Sequence, residues 1–476
     1  MKTLRKTKII CTIGPSSESE EKLSKLIDEG MNVARLNCSH GDNKQRQTIV
    51  DKLKKIRVEK NKPLAILLDT KGPEVRIKSF KDGAVHLLDG SKFTLTTKDV
   101  EGTSKIVSVT YKDLIHDLKA GDTILANDGL VKMKVDKING EEIICKIIVG
   151  GELSNNKSLN FPGKDLSLEF LSDNDKEDLL FATKNNLDYI ACSFVSNEND
   201  IIKVREFLDK NNGQDIRLIA KIENQSGIDN LKNICNYCEG IMVARGDLGV
   251  EIDFDKLPSV QKKIINECSA LRKIAITSTE MLESMINNPR PTRAEVSDVA
   301  NAIYDGTTAV MLSGETASGK YPIESLQTMS KIAKTTENTI DYRNLSFNRL
   351  PQKTNKTPEA IAHATCAIAA DTDTKGILNI TDTGFTSEKI SQYRPHVDVV
   401  TITLKESEYN KLALYWGINP VVYDYSTLNR VGIQKIARKY VKEILGLKSG
   451  EKYVINSGYE LSDIGYISSI HVENLP

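Results

Sequence analysis

The residues best suited to chemistry in this 476-residue chain lie between Arg217 and Ile252. The stretch opens with RLIAKIENQSG and closes with GIMVARGDLGVEI, and each part holds a short apolar run that ends in charge. One run ends Lys221-Ile222-Glu223 and the other Arg245-Gly246-Asp247. Apolar runs of this length that break into Asn, Gly or Asp predict buried strands running into loops. Side chains alternate along a strand, so Lys221 and Glu223 share a face and set a cation beside an anion. A helix-length interval separates Glu223 from Asp247, the spacing of one βα unit. Neighbouring strands of a parallel barrel would bring both carboxylates to its C-terminal rim. Paired carboxylates there suit a hard, oxygen-seeking cation such as Mg²⁺. The competing reading is a pair of structural salt bridges, a costly use of three charged groups at strand ends.

Other segments add candidates. In VARLNCSHG, residues 33–41, Arg35, Asn37 and Ser39 alternate and so share a face. Arg35 can hold a phosphate or carboxylate bidentately. Asn37 and Ser39 offer neutral oxygens, and Asp69-Thr70 adds a carboxylate, a carbonyl and a hydroxyl. Together these could cage a monovalent cation; alternatively they cap the next helix. Thr279, in TSTEMLESM, is read as facing the same cavity, where its hydroxyl relays a proton or holds a carboxylate. Charges in this arrangement would neutralise a transferring phosphoryl group or an enolate oxygen. His40 reads as a helix-entry or packing residue rather than a base. GETASGKY has the GxxxxGK outline of a P-loop, but Tyr321 stands where Ser or Thr must ligate Mg²⁺, so that reading is rejected. Cys235 and Cys238 form a CxxC with no second pair and no nearby His, which argues against zinc or redox chemistry.

These residues need a scaffold, and the chain spells one out. Eight apolar runs, at 8–14, 32–39, 64–70, 189–195, 218–223, 241–247, 274–279 and 310–315, alternate with helical patterns. The helices are read at 20–29, 42–59, 174–185, 198–210 and 256–272. Eight strand–helix units predict an α/β fold of the (β/α)₈ TIM-barrel type. Between residues 71 and 188 the rhythm breaks into short alternating strands with Gly and Asp turns, a small inserted β-barrel domain ending near Asn160-Phe161-Pro162-Gly163. A compact body on two connections could move as a lid. After residue 342 comes a polar stretch, 345–357, containing Pro351, read as a linker; helix and strand patterns then predict a C-terminal α/β domain with a parallel sheet. The expected division is 1–70 with 165–342 for the catalytic barrel, 71–164 for the lid and 343–476 for the C-terminal regulatory domain.

Composition agrees with a soluble globular protein. Lys+Arg and Asp+Glu are 65 each, so bulk attraction to nucleic acid or membrane is not expected. No apolar run approaches the roughly 18 residues of a membrane helix. The basic N-terminus runs directly into a strand and lacks a signal peptide's cleavage site. Eight cysteines scattered through apolar segments fit reduced packing thiols and a cytoplasmic location.

The motifs VARLNCSHG, LDTKGPEVR, AKIEN, MVARGDLGVEI, MLESM, NPRPTRAEVSDVANAIYDGT and MLSGETASGKYP, in this order, closely resemble pyruvate kinase. The likeness runs from about Arg5 to Pro322. It implies a barrel with an inserted β lid and a C-terminal α/β domain. The implied reaction moves the phosphoryl group of phosphoenolpyruvate to ADP, giving pyruvate and ATP, the last step of glycolysis, with Mg²⁺ (or Mn²⁺) and K⁺. By this resemblance Glu223 and Asp247 are the Mg²⁺ ligands, and Lys221 steadies the phosphoryl and enolate charge. Arg35 binds phosphate, Gly246 and Thr279 hold the substrate carboxylate with Asp247 beside them, and Asn37, Ser39, Asp69 and Thr70 form the K⁺ cage. Asn37, Arg76 and Lys157 contact nucleotide. Glu74 is the residue type that accompanies K⁺ dependence. The resemblance also implies a bacterial-type member without an N-terminal helical segment, a homotetramer, and an allosteric enzyme with a phosphorylated effector at the C-terminal domain. There are departures: Ser278 and Glu280 stand for the usual Ala and Gln, Ser158 for Gly, and Phe385 for an Arg in TDTGFTSEKISQYRP. In that loop Thr381, Thr383, Thr386 and Ser387 remain to hold a phosphate. The ending SGYELSDIGYISSIHV departs from the usual glycine- and threonine-rich form. Two rivals stay open: a lyase or aldolase working through a Mg²⁺ enolate on the same barrel, and a non-catalytic regulator that keeps the fold.

Overall fold

A computed structural model describes residues 4–342, 357–424, 430–457 and 469–476. The stretch read as a linker, up to residue 356, lies outside the described residues, as does 458–468 in the divergent ending. Eight parallel strands close into a barrel: β1 (Lys8–Thr12), β2 (Val33–Asn37), β3 (Ala65–Asp69), β4 (Tyr189–Cys192), β5 (Arg217–Ile222), β6 (Gly240–Ala244), β7 (Ile274–Ser278) and β8 (Ala309–Leu312). They follow one another around the ring, and β8 pairs back onto β1. Each apolar run becomes one strand. Both faces of these strands are covered, which is why the runs read as continuously apolar.

The two faces bury against different partners. Ile9, Cys11, Leu36 and Leu68 point outward and pack with the surrounding helices. Ile10, Val33, Leu67, Ala191, Ile219 and Met242 point inward, one residue out of phase, and fill the barrel. The helices carry their own stop and start signals. Glu20–Glu29 begins at Ser19, whose side chain accepts the Lys22 amide, and ends at Gly30 with φ +105°, where only glycine sits without strain. Asn43–Glu59 begins with a reciprocal Asp42/Gln45 capping box.

Extending the inward phase one step towards the N-terminal ends of the strands reaches the barrel's floor. Lys8, two residues before Ile10, donates Nζ to the Ile418 carbonyl at 2.7 Å. Arg217, two before Ile219, pairs with Glu388 and Glu408, each at 2.8 Å. The Tyr189 hydroxyl donates to the Lys411 carbonyl at 2.8 Å. All of these partners belong to the C-terminal α/β domain, which therefore seals the bottom of the barrel. Its five-stranded sheet runs Ile418–Val422, Asp398–Thr403, Gly376–Ile380, Lys452–Ser457, Ser469–Asn474. The first four are parallel, but Ser469–Asn474 is antiparallel to its neighbour, so the sheet is mixed rather than wholly parallel as expected.

Between β3 and β4 the chain forms the inserted β body, a seven-stranded and a two-stranded sheet around a core of its own. Val131–Asn139 shows why: Val131, Met133 and Val135 are buried while Lys132, Lys134 and Asp136 are exposed, the alternation of a sheet with one wet face. Strand Ser158–Asn160 pairs with Val75–Arg76, so the two connections to the barrel lie side by side.

Candidate active site

Followed towards the C-terminal ends of the strands, the same inward phase builds the opposite rim. Val33 leads to Arg35, Leu67 to Asp69, Ala191 to Ser193, and Ile219 to Lys221 and Glu223. Apolar layers give way to charge within one residue step. Arg35 Nε donates to Asp69 Oδ2 at 2.6 Å, and its Nη1 to Thr12 Oγ1 at 2.9 Å. Lys221 Nζ lies 3.1 Å from Asp69 Oδ1, 2.9 Å from Glu223 Oε1 and 2.7 Å from Ser193 Oγ. The Ser193 hydroxyl in turn donates to the Thr70 carbonyl at 2.7 Å.

Burial sets the electrostatics. Desolvation opposes the Lys221 charge, but Asp69 and Glu223 outweigh it and hold the ammonium above the ordinary lysine range. Asp69 is buried too, yet Arg35 and Lys221 carry it below the usual carboxylate value. Glu223 goes the other way: its burial is complete, and it rises to about 8 despite Lys221, with the Asp247 charge adding to the rise. One of its oxygens accepts the Phe194 amide at 2.6 Å. The other, Oε1, is fully buried and faces the Lys221 ammonium at 2.9 Å, and a carboxylate oxygen has further lone pairs to offer beyond that one cation.

Asp247 does not end a strand. β6 stops at Ala244, and Arg245–Glu251 is a short helix with Asp247 in its first turn. Glu223 is therefore reached from a strand end and Asp247 from a helix start, and the field of Asp247 is felt at both Glu223 and Lys221. Gly246, beside it, donates its amide to Thr279 Oγ1 at 2.8 Å. Thr279 is not placed by strand alternation. Ser278 holds the inward position, and Thr279 and Glu280 turn back with φ +61° and +52°. A β-branched residue there carries backbone strain of about 1–3 kcal/mol.

The remaining sequence candidates fall around this centre. Asn37 is in register with Asp69 across β2 and β3. β2 ends at Asn37, so Ser39 lies in the turn beyond, exposed, with its amide on Asn37 Oδ1 at 3.0 Å. His40 is exposed in that turn, and its carbonyl accepts Arg46. Arg76 lies on the inserted body with its guanidinium on Glu74 Oε2 at 2.6 and 2.8 Å and on the Asn156 carbonyl at 2.8 Å. Lys157 is next to it, one residue before the strand that pairs with Val75–Arg76. A cleft of about 430 Å³ separates the inserted body from the rim, lined by Glu74, Asn160 and Phe161 on one side and by Phe194, Asp247 and Glu251 on the other.

Two family models match the chain. The family described as "Pyruvate kinase, barrel domain" matches residues 4–326, and "Pyruvate kinase, alpha/beta domain" matches 359–473. The chain belongs to the pyruvate kinase family. A pyruvate kinase of Sporosarcina psychrophila is 44% identical over 474 residues, covering 98% of this chain and 80% of its own. One from Clostridium perfringens is 43% identical over 477 residues, covering 99% and 100%. The crystal structure of a pyruvate kinase from Cryptosporidium parvum superposes with a TM-score of 0.93 at 37% identity, over 99% of this chain and 96% of that one. The chain is accordingly a phosphotransferase enzyme.

Sequence reading missed three parts of this pyruvate kinase family site. Ser193, which joins Lys221, Asp69 and Thr70, was within reach, since it continues the inward phase of Tyr189 and Ala191. Phe194, whose amide holds Glu223, has φ +56°, and nothing in its residue type announces that. Arg245 lies within MVARGDLGVEI, and nothing in the motif announces its task. Its guanidinium donates to the carbonyls of Ser278, Thr279 and Glu280 at 2.7–3.3 Å and to Asp298 Oδ2 at 2.7 Å. Two other segments settle into packing. Glu315 of GETASGKY is fully buried and accepts the Ser313 and Leu282 amides, and Cys235 and Cys238 are buried free thiols. In the C-terminal loop Thr383 is exposed, whereas the Ser387 hydroxyl is buried between Asn379 and Thr401 at 2.6 Å from each.

Proposed function

We propose that this chain transfers the phosphoryl group of phosphoenolpyruvate to ADP, releasing pyruvate and ATP, on the rim formed by Arg35, Lys221, Glu223, Asp247, Gly246 and Thr279. Family membership implies a nucleotide substrate and a metal. The observation that carries the site reading is the buried Lys221 ammonium held between Asp69 and Glu223.

A divalent cation, Mg²⁺ or Mn²⁺, fits the donors present: Glu223 Oε1 is a buried carboxylate oxygen with lone pairs beyond its contact to Lys221, and the field of the Asp247 carboxylate reaches it. Glu223 and Asp247 would hold the ion, which when bound neutralises charge on the transferring group. Asn37, Ser39, Asp69 and the Thr70 carbonyl would hold K⁺; amide, hydroxyl and carbonyl oxygens with a single carboxylate suit a weakly hydrated monovalent cation.

The chain's own groups do the rest by position. Arg35 is fixed by Asp69 and Thr12, leaving the outer part of its fork for the phosphoryl oxygens. Lys221 keeps its charge because two carboxylates hold it, so it faces the phosphoryl and enolate oxygens as a permanent cation. Gly246 N–H donates to Thr279 Oγ1, whose own proton goes to the Ser278 carbonyl at 2.6 Å, and a substrate carboxylate takes the Gly246 donor from Thr279. The Thr279 hydroxyl holds that carboxylate, or relays a proton to the enolate carbon, by turning its proton away from the Ser278 carbonyl. Arg76 and Lys157 approach the nucleotide phosphates from the inserted body. Eight free cysteines among the described residues support a cytoplasmic setting. None of the described helices is long and apolar enough to cross a membrane.

The test is a coupled assay of pyruvate formation from phosphoenolpyruvate with ADP and Mg²⁺, with and without K⁺. Turnover that needs ADP and rises with K⁺ supports the reading. Consumption of phosphoenolpyruvate without ADP would replace it by an enolate lyase, and no consumption under any condition by a regulator.

A further inference from the structure

The short helix Arg245–Glu251 carries two acids one turn apart, and the proposed function uses only Asp247. Residues four apart share a helix face, and both line the cleft below the inserted body. Glu251 reaches across that cleft. Its Oε1 accepts Asn160 Nδ2 at 3.0 Å and the Phe161 amide at 3.3 Å. These bonds join two separately packed bodies, the barrel's outer core and the core of the inserted sheet. Their position on the inserted body matters. Asn160 ends strand Ser158–Asn160, which starts next to Lys157 and pairs in register with Arg76 at Ser158. A grip on Asn160 and Phe161 thus fixes the strand pair that presents both Arg76 and Lys157. The inserted body approaches the same helix at a second point, since a Cβ added to Gly129 would lie 3.5 Å from the Val250 side chain.

We propose that Glu251 is a positioning residue: it latches the inserted body to the helix bearing Asp247 and so sets the distance between the nucleotide-facing cations and the rim. This rests on the phosphotransfer reading, since Arg76 and Lys157 matter to it only as nucleotide contacts. The latch separates the two substrates. Phosphoenolpyruvate is held by barrel groups alone, whereas ADP spans barrel and inserted body.

Glu251→Ala is expected to raise KM for ADP about five- to tenfold, the size of one ordinary hydrogen bond lost, with KM for phosphoenolpyruvate within twofold. Glu251→Gln keeps the Oε1 acceptor and restores the wild-type KM for ADP. Asn160→Ala, on the other side of the latch, raises KM for ADP as well and adds little to Glu251→Ala, because both remove one contact. Hydrogen exchange gives a readout independent of turnover: the Phe161 amide loses protection in Glu251→Ala and keeps it in Glu251→Gln. A folded Glu251→Ala protein with unchanged KM for ADP or unchanged Phe161 exchange overturns the latch, as does an equal rise in both KM values. Wild-type protein that fails to couple phosphoenolpyruvate to ADP overturns the phosphotransfer reading instead, and the exchange experiment still judges the contact.

Discussion

Lys221 Nζ lies 2.9 Å from Glu223 Oε1, two residues along the same face, and their shared burial leaves the ammonium firmly charged and the carboxylate weakly so. The lysine has a second anion, Asp69, and stays charged; the glutamate has this one paired cation among the described residues and is pushed up to about 8. The rim therefore holds its positive charge firmly and its Glu223 negative charge weakly. Such a site gains most when a further cation arrives next to Glu223, and it suffers most when the resident one is removed.

Lys221→Met removes the resident cation. The methionine fills the same volume, so the strand keeps its packing, while Asp69 and Glu223 lose a shared partner. The expected result is a fall in kcat of about 10²–10³-fold, the size of losing one preorganised charge aimed at the reacting group. Steady-state turnover of phosphoenolpyruvate with ADP measures it, and circular dichroism checks folding. Activity within threefold of the parent would remove Lys221 from the mechanism.

Glu223→Gln and Asp247→Asn address the arriving cation. Each keeps the shape of the side chain and removes its charge, so each is expected to weaken Mn²⁺ affinity by at least about tenfold, the lower end of what even outer-sphere changes produce. Electron paramagnetic resonance of unbound Mn²⁺ reads this without any turnover. Unchanged affinity in both variants would show that the ion, if it binds, binds elsewhere.

Arg245→Lys tests what holds Thr279 in its left-handed turn. The guanidinium serves the carbonyls of Ser278, Thr279 and Glu280 while paired to Asp298. A lysine supplies the charge but not the planar fork, so it cannot span the set. The turn is expected to relax and the Thr279 hydroxyl to leave the Gly246 amide, raising KM for phosphoenolpyruvate and lowering kcat about tenfold or more. Kinetics check the first, and the exchange rate of the Gly246 amide checks the second. Normal kinetics in Arg245→Lys would show that the turn is held without the fork.

Much of this architecture was legible because two periods carry it. The alternation that buries Ile219 also aims Lys221 and Glu223, so strand assignment and site assignment are one inference for β2, β3 and β5. The method stopped where the backbone leaves the strand. Ser39 and Asp247 were assigned to strand ends, but one lies in a turn and the other on a helix. Thr279 reaches its partner through positive φ, a conformation that threonine does not advertise. Contacts between bodies, such as Glu251 with Asn160 or Lys8 with Ile418, leave no local pattern at all, since neither partner's neighbours in sequence reveal the other.

Lys8 gives that last kind of contact a measurable consequence. It faces inward at the floor of the barrel, 4% exposed, with its Nζ on the Ile418 carbonyl. Burial, helped by the Arg5 charge and opposed by Glu337 and Asp398, lowers it from 10.5 to about 7. Because the folded value lies below the unfolded one, the unfolded chain binds more protons between about pH 7 and 10.5, and stability from this group rises with pH over that window. Below it the charged form stays buried and the penalty is full. Lys8→Met removes the penalty and also the hydrogen bond, which is worth about 1 kcal/mol. The variant should therefore be the more stable protein at pH 6.5, by roughly 1–3 kcal/mol on the scale of buried charges replaced by apolar groups. Its advantage should shrink as pH rises, by at most about 1.4 kcal/mol per unit, until the lost hydrogen bond makes it the weaker protein. Urea unfolding of both proteins at pH 6.5, 7.5 and 8.5 measures the trend. A stability difference that stays constant across the three would mean that Lys8 is not titrating in the fold, and that the floor of the barrel holds its charge as firmly as the rim holds Lys221.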